Sequence, residues 1–203
     1  LVLGSDGFAV SGTTVTFSVA TGGGTVGAAS AVSDSTGIAK TTWKLGSLLG
    51  TQTATATVTG LTGSPLTFSA SAVAGAASQL SFTAVQAVDT AGSPFATTVT
   101  AKDSLGNIAT SFTGTVKVEV LDASNNSGAL DADGCRPTWT VIQTLANPTF
   151  AASDNGRKTI SFTQANAYRD VRVRVPYPTA SPTAAGCSSD TFAILPNAFT
   201  NFA

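Results

Sequence analysis

The sequence predicts an all-β protein built as two tandem sandwiches, the second enlarged by insertions and closed by a disulfide. Three observations carry that expectation. The first is composition: in 203 residues, charged side chains make up 10% and aromatics 7%, while hydrophobic residues reach 42%. Thr, Ser, Ala, Val and Gly dominate, which suits strands joined by small-residue turns; long polar helices need more Glu and Lys. The second is a period-two alternation of apolar and polar residues in stretch after stretch. The third is the regular return of Asp- and Gly-bearing turn signals between those stretches, at the spacing of a sandwich. A chain of this length suits one large or two ordinary domains and can bury a real core.

In chain order, Leu1-Val2-Leu3 opens with strand character but no evident hairpin partner. With no methionine present, the chain reads as a processed or excised piece of something longer. Residues 13–20 (TTVTFSVA) alternate cleanly, with Val15, Phe17 and Val19 on one face. Gly22-Gly23-Gly24 is too glycine-rich to continue that strand, and it lacks the Lys and Ser/Thr of a phosphate loop. Asp34-Ser35-Thr36-Gly37 is a turn, because Asp can bond its own backbone and Gly can take positive φ. Residues 38–45 (IAKTTWKL), 51–58 (TQTATATV) and 66–73 (LTFSASAV) follow as strands. Residues 1–74 are thus expected to form the first sandwich, and 75–78 a short linker of small residues.

The run TVTFSV, glycine tract, DSTGIAKTTWKLG and GTQTATATVTGL resembles the bacterial Ig-like repeats of the invasin and intimin type over about residues 12–73. Its most specific part is Asp34-x-x-Gly37-x-Ala39 followed by Trp43-x-Leu45-Gly46. The resemblance implies that Trp43 and Leu45 fill an inter-sheet core while Asp34 and Gly37 make a turn. Asp34 as a metal ligand or catalytic acid is the weaker reading.

Residues 79–196 are expected to form the second sandwich. Residues 79–85 (QLSFTAV) begin it, residues 89–94 turn, and residues 97–102 are strand. Asp103-Ser104-Leu105-Gly106-Asn107 is the counterpart of the Asp34 turn, giving weak internal repetition of one module. In residues 112–120 (FTGTVKVEV), Val116, Val118 and Val120 point inward. Residues 121–134 are polar and turn-rich, and residues 136–143 (RPTWTVIQ) are expected as a strand bringing Trp139. A short strand at 149–153, a turn at Asp154-Asn155-Gly156 and a strand at 158–162 follow. In YRDVRVRV, Val171, Val173 and Val175 alternate with Arg172 and Arg174, a half-buried strand with valines on one face and arginines on the other. Residues 191–195 (TFAIL) close the sandwich, and residues 197–203 are expected to be a linker or docking tail.

A-x-D-x-x-G-N followed by F-x-G-x-V is similar to another common bacterial surface Ig-like repeat. The run DASNNSGALDADGCRPTWTV, TFAASDNGRKTISF, YRDVRVRV and GCSSDTFAILPNAF is more distinctive. Over about residues 122–199 it resembles the conserved region of a large secreted protein encoded with type IV pili of the mannose-sensitive haemagglutinin class. Cys187-Ser188-Ser189-Asp190, Phe192 and Pro196 match that family's closing signature, whereas Leu195 departs from the Arg often found before the proline. The family supplies no catalytic residue. Both resemblances imply Ig-like sandwiches.

Several function classes are excluded or weakened. No histidine is present, which removes Ser-His-Asp triads, Cys-His pairs and nearly every zinc constellation. A formal net charge of −1 gives no strong attraction to nucleic acid or anionic membrane. No apolar run is long enough for a transmembrane helix. The two cysteines have no CxxC spacing, and a Cys135–Cys187 bond would close a loop worth roughly 4 kcal/mol. Two buried free thiols are the alternative. The disulfide reading argues for an oxidising compartment, hence a secreted or cell-surface protein.

Each candidate for chemistry has a plainer rival. Asp122, Asn125, Asn126, Asp131 and Asp133 form the densest cluster of oxygen ligands, but their spacing fits no calcium loop, and a solvated loop is the better reading. Asn125-Asn126-Ser127 matches a glycosylation pattern that is frequent by chance. Arg169, Arg172 and Arg174, with Arg157 and Lys158, could form a basic stripe for anionic glycans or lipids, interrupted by Asp170; charge protecting an edge strand explains them equally well. Trp139, Tyr168 and Tyr177 are the aromatic candidates for a glycan site, with Trp139 better placed in a core because it alternates with Val141. No carboxylate pair suggests glycoside hydrolysis. The expectation is therefore no enzyme, no cofactor and no metal.

The leading expectation is a structural subunit or stalk segment of an extracellular fibre or pilus-associated adhesin. Its partners would be copies of itself or neighbouring Ig-like domains of the same fibre, joined at sheet edges or by the terminal segments carrying Leu1, Val2, Leu3, Phe199 and Phe202. The second expectation is a glycan-binding adhesin domain using Arg172, Arg174 and Tyr177.

Overall fold

The computed structural model describes residues 1–83, 85–177, 184–189 and 191–198. The chain divides into two compact units, Leu1–Val73 and Ala74–Ala203. Both are Ig-like β-sandwiches.

In the first unit the strands are β1 (Thr14–Thr21), β2 (Thr25–Val26), β3 (Ser30–Val32), β4 (Trp43–Lys44), β5 (Gly50–Thr57) and β6 (Leu66–Ala72). One antiparallel sheet runs β3-β1-β5-β6, and β2 pairs β4 in a second, small sheet. The alternation in β1 works as expected: Val15 is buried, Phe17 and Val19 are half-buried, and the Ser and Thr residues between them are exposed. On that polar face Ser18 Oγ lies 2.9 Å from Thr55 Oγ1 and Thr21 Oγ1 lies 2.9 Å from Thr53 Oγ1, cross-strand hydroxyl pairs that reinforce the ladder. The expected strand over residues 38–45 is reduced to Trp43–Lys44. The reason is local competition: the Thr41 hydroxyl accepts from the Ala28 N–H at 3.0 Å and donates to the Ala28 carbonyl at 2.9 Å. A side chain thereby occupies the groups a backbone ladder would use.

The glycine tract ends β1 by close approach as well as by backbone freedom. A Cβ on Gly24 would sit 2.2 Å from the Lys44 carbonyl oxygen, so only glycine lets the two segments meet. Beneath them Gln52 is buried, its amide accepting from Gly46 N–H at 2.8 Å and donating to the Gly46 and Leu48 carbonyls. The first three residues are not partnerless. Val2 is buried, its N–H donates to the Gly37 carbonyl at 2.7 Å, its carbonyl accepts from Val10, and Leu3 bridges Ala9. That corrects the reading of Leu1, Val2 and Leu3 as an opening strand without a local partner.

In the second unit the strands are β7 (Gln79–Phe82), β8 (Val88–Thr90), β9 (Pro94–Lys102), β10 (Gly114–Thr115), β11 (Glu119–Asp122), β12 (Thr140–Thr144), β13 (Thr149–Phe150), β14 (Arg157–Thr163), β15 (Tyr168–Tyr177), β16 (Ala184–Cys187) and β17 (Phe192–Leu195). The larger sheet runs β12-β11-β15-β17-β8 with β16 also on β15; the opposing sheet runs β14-β9-β7, and β10 pairs β13. Between the two main sheets lies a core with Val99, Val116, Val118, Val120, Val171, Val173 and Val175 fully buried. Phe95 stacks edge-on against Phe162 and Phe192, and Phe112 against Phe150 and Tyr177, the geometry favoured by ring quadrupoles. Val116, Val118 and Val120 point inward, as the sequence pattern implies.

The other face of β11 and β15 is covered too. Leu121, Ala123, Cys135 and Trp139 form a separate small cluster against Cys187, and β11 is accordingly buried at Glu119, Val120 and Leu121 alike. The segment after β11 therefore folds back over the outer face of the sheet, and the Cys135–Cys187 disulfide fastens it to β16. Of residues 121–134 only Leu121 and Ala123 are buried in that cluster, and residues 124–134 are exposed. This arrangement moves Trp139 out of β12: Val141, its supposed partner on an apolar face, is an exposed residue.

Candidate functional site

The covered face decides what the arginines of β15 can do. β15 lies between β11 and β17, so protection of an edge strand does not explain them. Arg174 donates from Nε to Glu119 Oε2 at 2.7 Å, and Lys117 Nζ lies 2.5 Å from Glu119 Oε1. Burial pushes the Glu119 carboxyl up, but the Lys117 and Arg174 donors outweigh it and hold the group below its ordinary value. Arg172 sits over the Trp139 ring, 5.4 Å from its centre, and donates to the Ser188 carbonyl at 2.6 Å.

The remaining members of the expected stripe are elsewhere. Lys158 lies on β14 in the opposing sheet and pairs with Asp154 at 2.9 Å. Arg169 is exposed, with Asp170 3.9 Å away. Tyr177 packs edge-on against Phe112, with its hydroxyl 3.5 Å from the Thr113 carbonyl, and Tyr168 packs against the main core. Trp139, Tyr168 and Tyr177 therefore do not share one surface site. Phe199 and Phe202 lie outside the described residues.

Most of the oxygen cluster is spent on its own backbone. Asp122 accepts from Ser124 N–H at 3.0 Å, Asn125 from Ser127, and Asp131 from the N–H groups of Asp133 and Cys135. Asp133 differs: burial, then the neighbouring Asp131 charge, pushes its carboxyl up against the opposing pull of Arg174. Among the described residues no group of three acidic or cysteine side chains is placed to hold a metal ion, and no helix is long and apolar enough to cross a membrane.

Two features remain with room for a partner. In the second unit, Asn126, Leu130, Arg136, Trp139, Arg172 and Ser189 surround a cleft of about 280 Å³ beside the disulfide. Trp139 Nε1 and Arg136 Nε are buried there with no hydrogen-bond partner among the described residues. Sequence reasoning singled out Arg172, offered Trp139 as a glycan candidate while preferring it in a core, and passed over Arg136. In the first unit, β6 pairs only β5 among the described residues. Its Leu66 and Phe68 are 56% and 48% exposed, and both line an apolar groove of about 200 Å³ with Val15, Phe17 and Val58.

No protein-family model and no curated protein matches the sequence. The fold does match solved structures. The chain is similar to the Escherichia coli adhesin FdeC, with 16% identity, a TM-score of 0.50, and coverage of 97% of this chain and 57% of that one. It also aligns with the D0-D1 domain of intimin, at 14% identity, TM-score 0.33, and 95% and 86% coverage. With the Yersinia pseudotuberculosis adhesin InvE the values are 22% identity, TM-score 0.35, and 95% and 51% coverage. The chain thus spans a little over half of the FdeC structure and about half of the InvE structure. The FdeC superposition, with the sheet pattern, defines the class: an all-β protein of tandem Ig-like sandwiches, the second enlarged by insertions and closed by a disulfide.

Proposed function

We propose that this chain is a segment of an extracellular bacterial surface protein of the adhesin type, with a mechanical and assembling role and no catalytic one. The observation that carries the reading is the β6 edge. Exposed edge strands in soluble proteins are commonly blunted by charge, proline or bulges, and β6 (LTFSASA) has none of these. Its exposed Leu66 and Phe68 flank an apolar groove, which is what strand addition by a neighbouring Ig-like domain requires: main-chain hydrogen bonds for affinity and alternate side chains for register. The disulfide of the second unit and the adhesin named among the structural neighbours support the extracellular setting.

Electron microscopy of the native material, with gels run before and after boiling, tests this. Filaments, and a ladder that collapses on boiling, support strand exchange; both should be lost in Phe68→Lys. Filaments that persist in Phe68→Lys would move assembly away from β6, and monomers alone would refute assembly by this chain. A second reading, adhesion to a surface glycan, is favoured by the cleft beside the disulfide.

A further inference from the structure

We propose that the cleft between the inserted segment and β15 is a binding site for the carboxylate of an acidic sugar. The inference rests on the glycan-adhesion reading for the source of its ligand. Its anion chemistry stands on the side chains alone.

The polar groups at the base of the cleft are donors. Arginine has five N–H groups and no acceptor, and an indole has one N–H and no acceptor. Trp139 is 8% exposed, and its Nε1 has no partner among the described residues; nor does Nε of the half-buried Arg136. Buried polar groups are nearly always satisfied, so such donors call for an acceptor. Arg136 donates from Nη1 to the Gly128 carbonyl, which fixes the guanidinium in place, and none of the ion pairs among the described residues involves it. Arg172, held by Ser188 and by the Trp139 ring, adds a second positive charge to the lining. The cleft lining contains no carboxylate among the described residues. A planar oxyanion supplies acceptors to several N–H donors at once, with the geometry that guanidinium groups favour.

The rim selects the rest of the ligand. Asn126 and Ser189 are exposed polar side chains suited to sugar hydroxyls, and Leu130, 54% exposed, offers an apolar contact for the C–H face of a pyranose ring. A cleft of about 280 Å³ falls just below the roughly 300 Å³ at which drug-sized ligand sites start, and it suits one sugar residue. The disulfide and the Asp131 turn hold the inserted segment without any ligand, so the site is formed in advance.

The test uses the intact, oxidised chain. With two tryptophans, a nitrogen–proton correlation spectrum has two indole N–H signals, and Trp43 in the first unit is the internal control. Titration with sodium glucuronate should move the Trp139 signal saturably and leave Trp43 still, while glucose and sodium chloride at matched ionic strength should move neither. Glucuronate should bind at least tenfold tighter than acetate or a glutamate-bearing peptide. Arg136→Gln should weaken binding at least tenfold with the disulfide intact. Trp139→Phe keeps a ring beside Arg172 and removes the donor, and should weaken binding similarly, read through the backbone signals of residues 126–136. Acetate or the peptide binding as tightly as glucuronate would overturn the sugar assignment. No saturable shift with any carboxylate, in a spectrum with both indole signals well dispersed, would overturn the site. Neither result touches the β6 assembly test, so the two readings fail separately.

Discussion

The carboxylate of Asp131 accepts the backbone N–H of Cys135 at 2.9 Å, and the Asp131 N–H donates to the Cys135 carbonyl at 2.7 Å. This closed turn presents Cys135 to Cys187. The same construction occurs twice more: Asp34 with Ile38, at 3.1 Å and 3.0 Å, and Asp103 with Asn107, at 2.9 Å for both bonds. Each has a positive-φ glycine three residues after the aspartate, at Gly37, Gly106 and Gly134.

Asp131→Ala removes two acceptor contacts from this turn, those to Asp133 and Cys135. It should destabilise the second unit by about 1–2 kcal/mol and leave more thiol unpaired after refolding. Urea midpoints and thiol titration check both. Asp131→Asn, which keeps an acceptor oxygen, should recover most of the loss.

These turns show how much of the molecule was legible in the sequence. Asp34 and Asp103 could be read because each lies between two clear alternations. Asp131 has the same spacing to its glycine, yet among its acidic neighbours it reads only as one member of a solvated, oxygen-rich loop. Asp89-Thr90-Ala91-Gly92 carries the same letters and forms no such turn: Asp89 is in β8, paired with Ile194, and Gly92 N–H donates to Gln164. Sheet pairing there outweighs the local preference. Alternation also placed the valines of β15 correctly, but a period of two cannot say what covers the arginine face. The cleft was hidden for the same reason, since a disulfide joins segments far apart in the chain to form it.

The Glu119 pairings imply a specific pH dependence. Its folded-state carboxyl is held below its ordinary value, so the unfolded chain takes up the proton first as pH falls. The stabilisation is therefore fully present above the unfolded value of roughly 4.3 and is lost as pH drops through the lower folded value. Asp133, pushed the opposite way, offsets part of the slope. Glu119→Gln should cost about 2 kcal/mol at neutral pH, in the range of hydrogen bonds to charged groups, and flatten the acid limb of urea midpoints measured between pH 3 and 7.

Reducing the disulfide should loosen the outer layer before the core. Cys135 and Cys187 belong to the small cluster around Trp139, whereas the valine and phenylalanine core lies on the other face of β11 and β15. The double variant Cys135→Ser, Cys187→Ser should lose up to roughly 4 kcal/mol. Limited proteolysis should then cut within residues 124–138 while β9, β14 and β15 stay protected. Cleavage throughout the second unit at the same rate would show that the core depends on the clamp.

Gly186 tests how tightly β16 is seated. It pairs with Val175 on β15, and a Cβ at this position would lie 1.7 Å from the Leu80 carbonyl oxygen of β7. Backbone cannot yield as a flexible side chain can, so Gly186→Ala must push β16 away from β7 or displace the start of β7. The cost should reach the upper end of the roughly 1–3 kcal/mol typical of overpacking. Gly60→Ala in the first unit is the comparison: nothing lies within 4 Å of its Cβ, though its φ is positive. That variant should pay only backbone strain, about 1 kcal/mol. Thermal unfolding followed by the two tryptophans separates the units, since Trp43 reports the first and Trp139 the second. Gly186→Ala should lower the Trp139 transition alone, and a Gly186→Ala protein with an unshifted Trp139 transition would mean that β16 can move off β7 without loss.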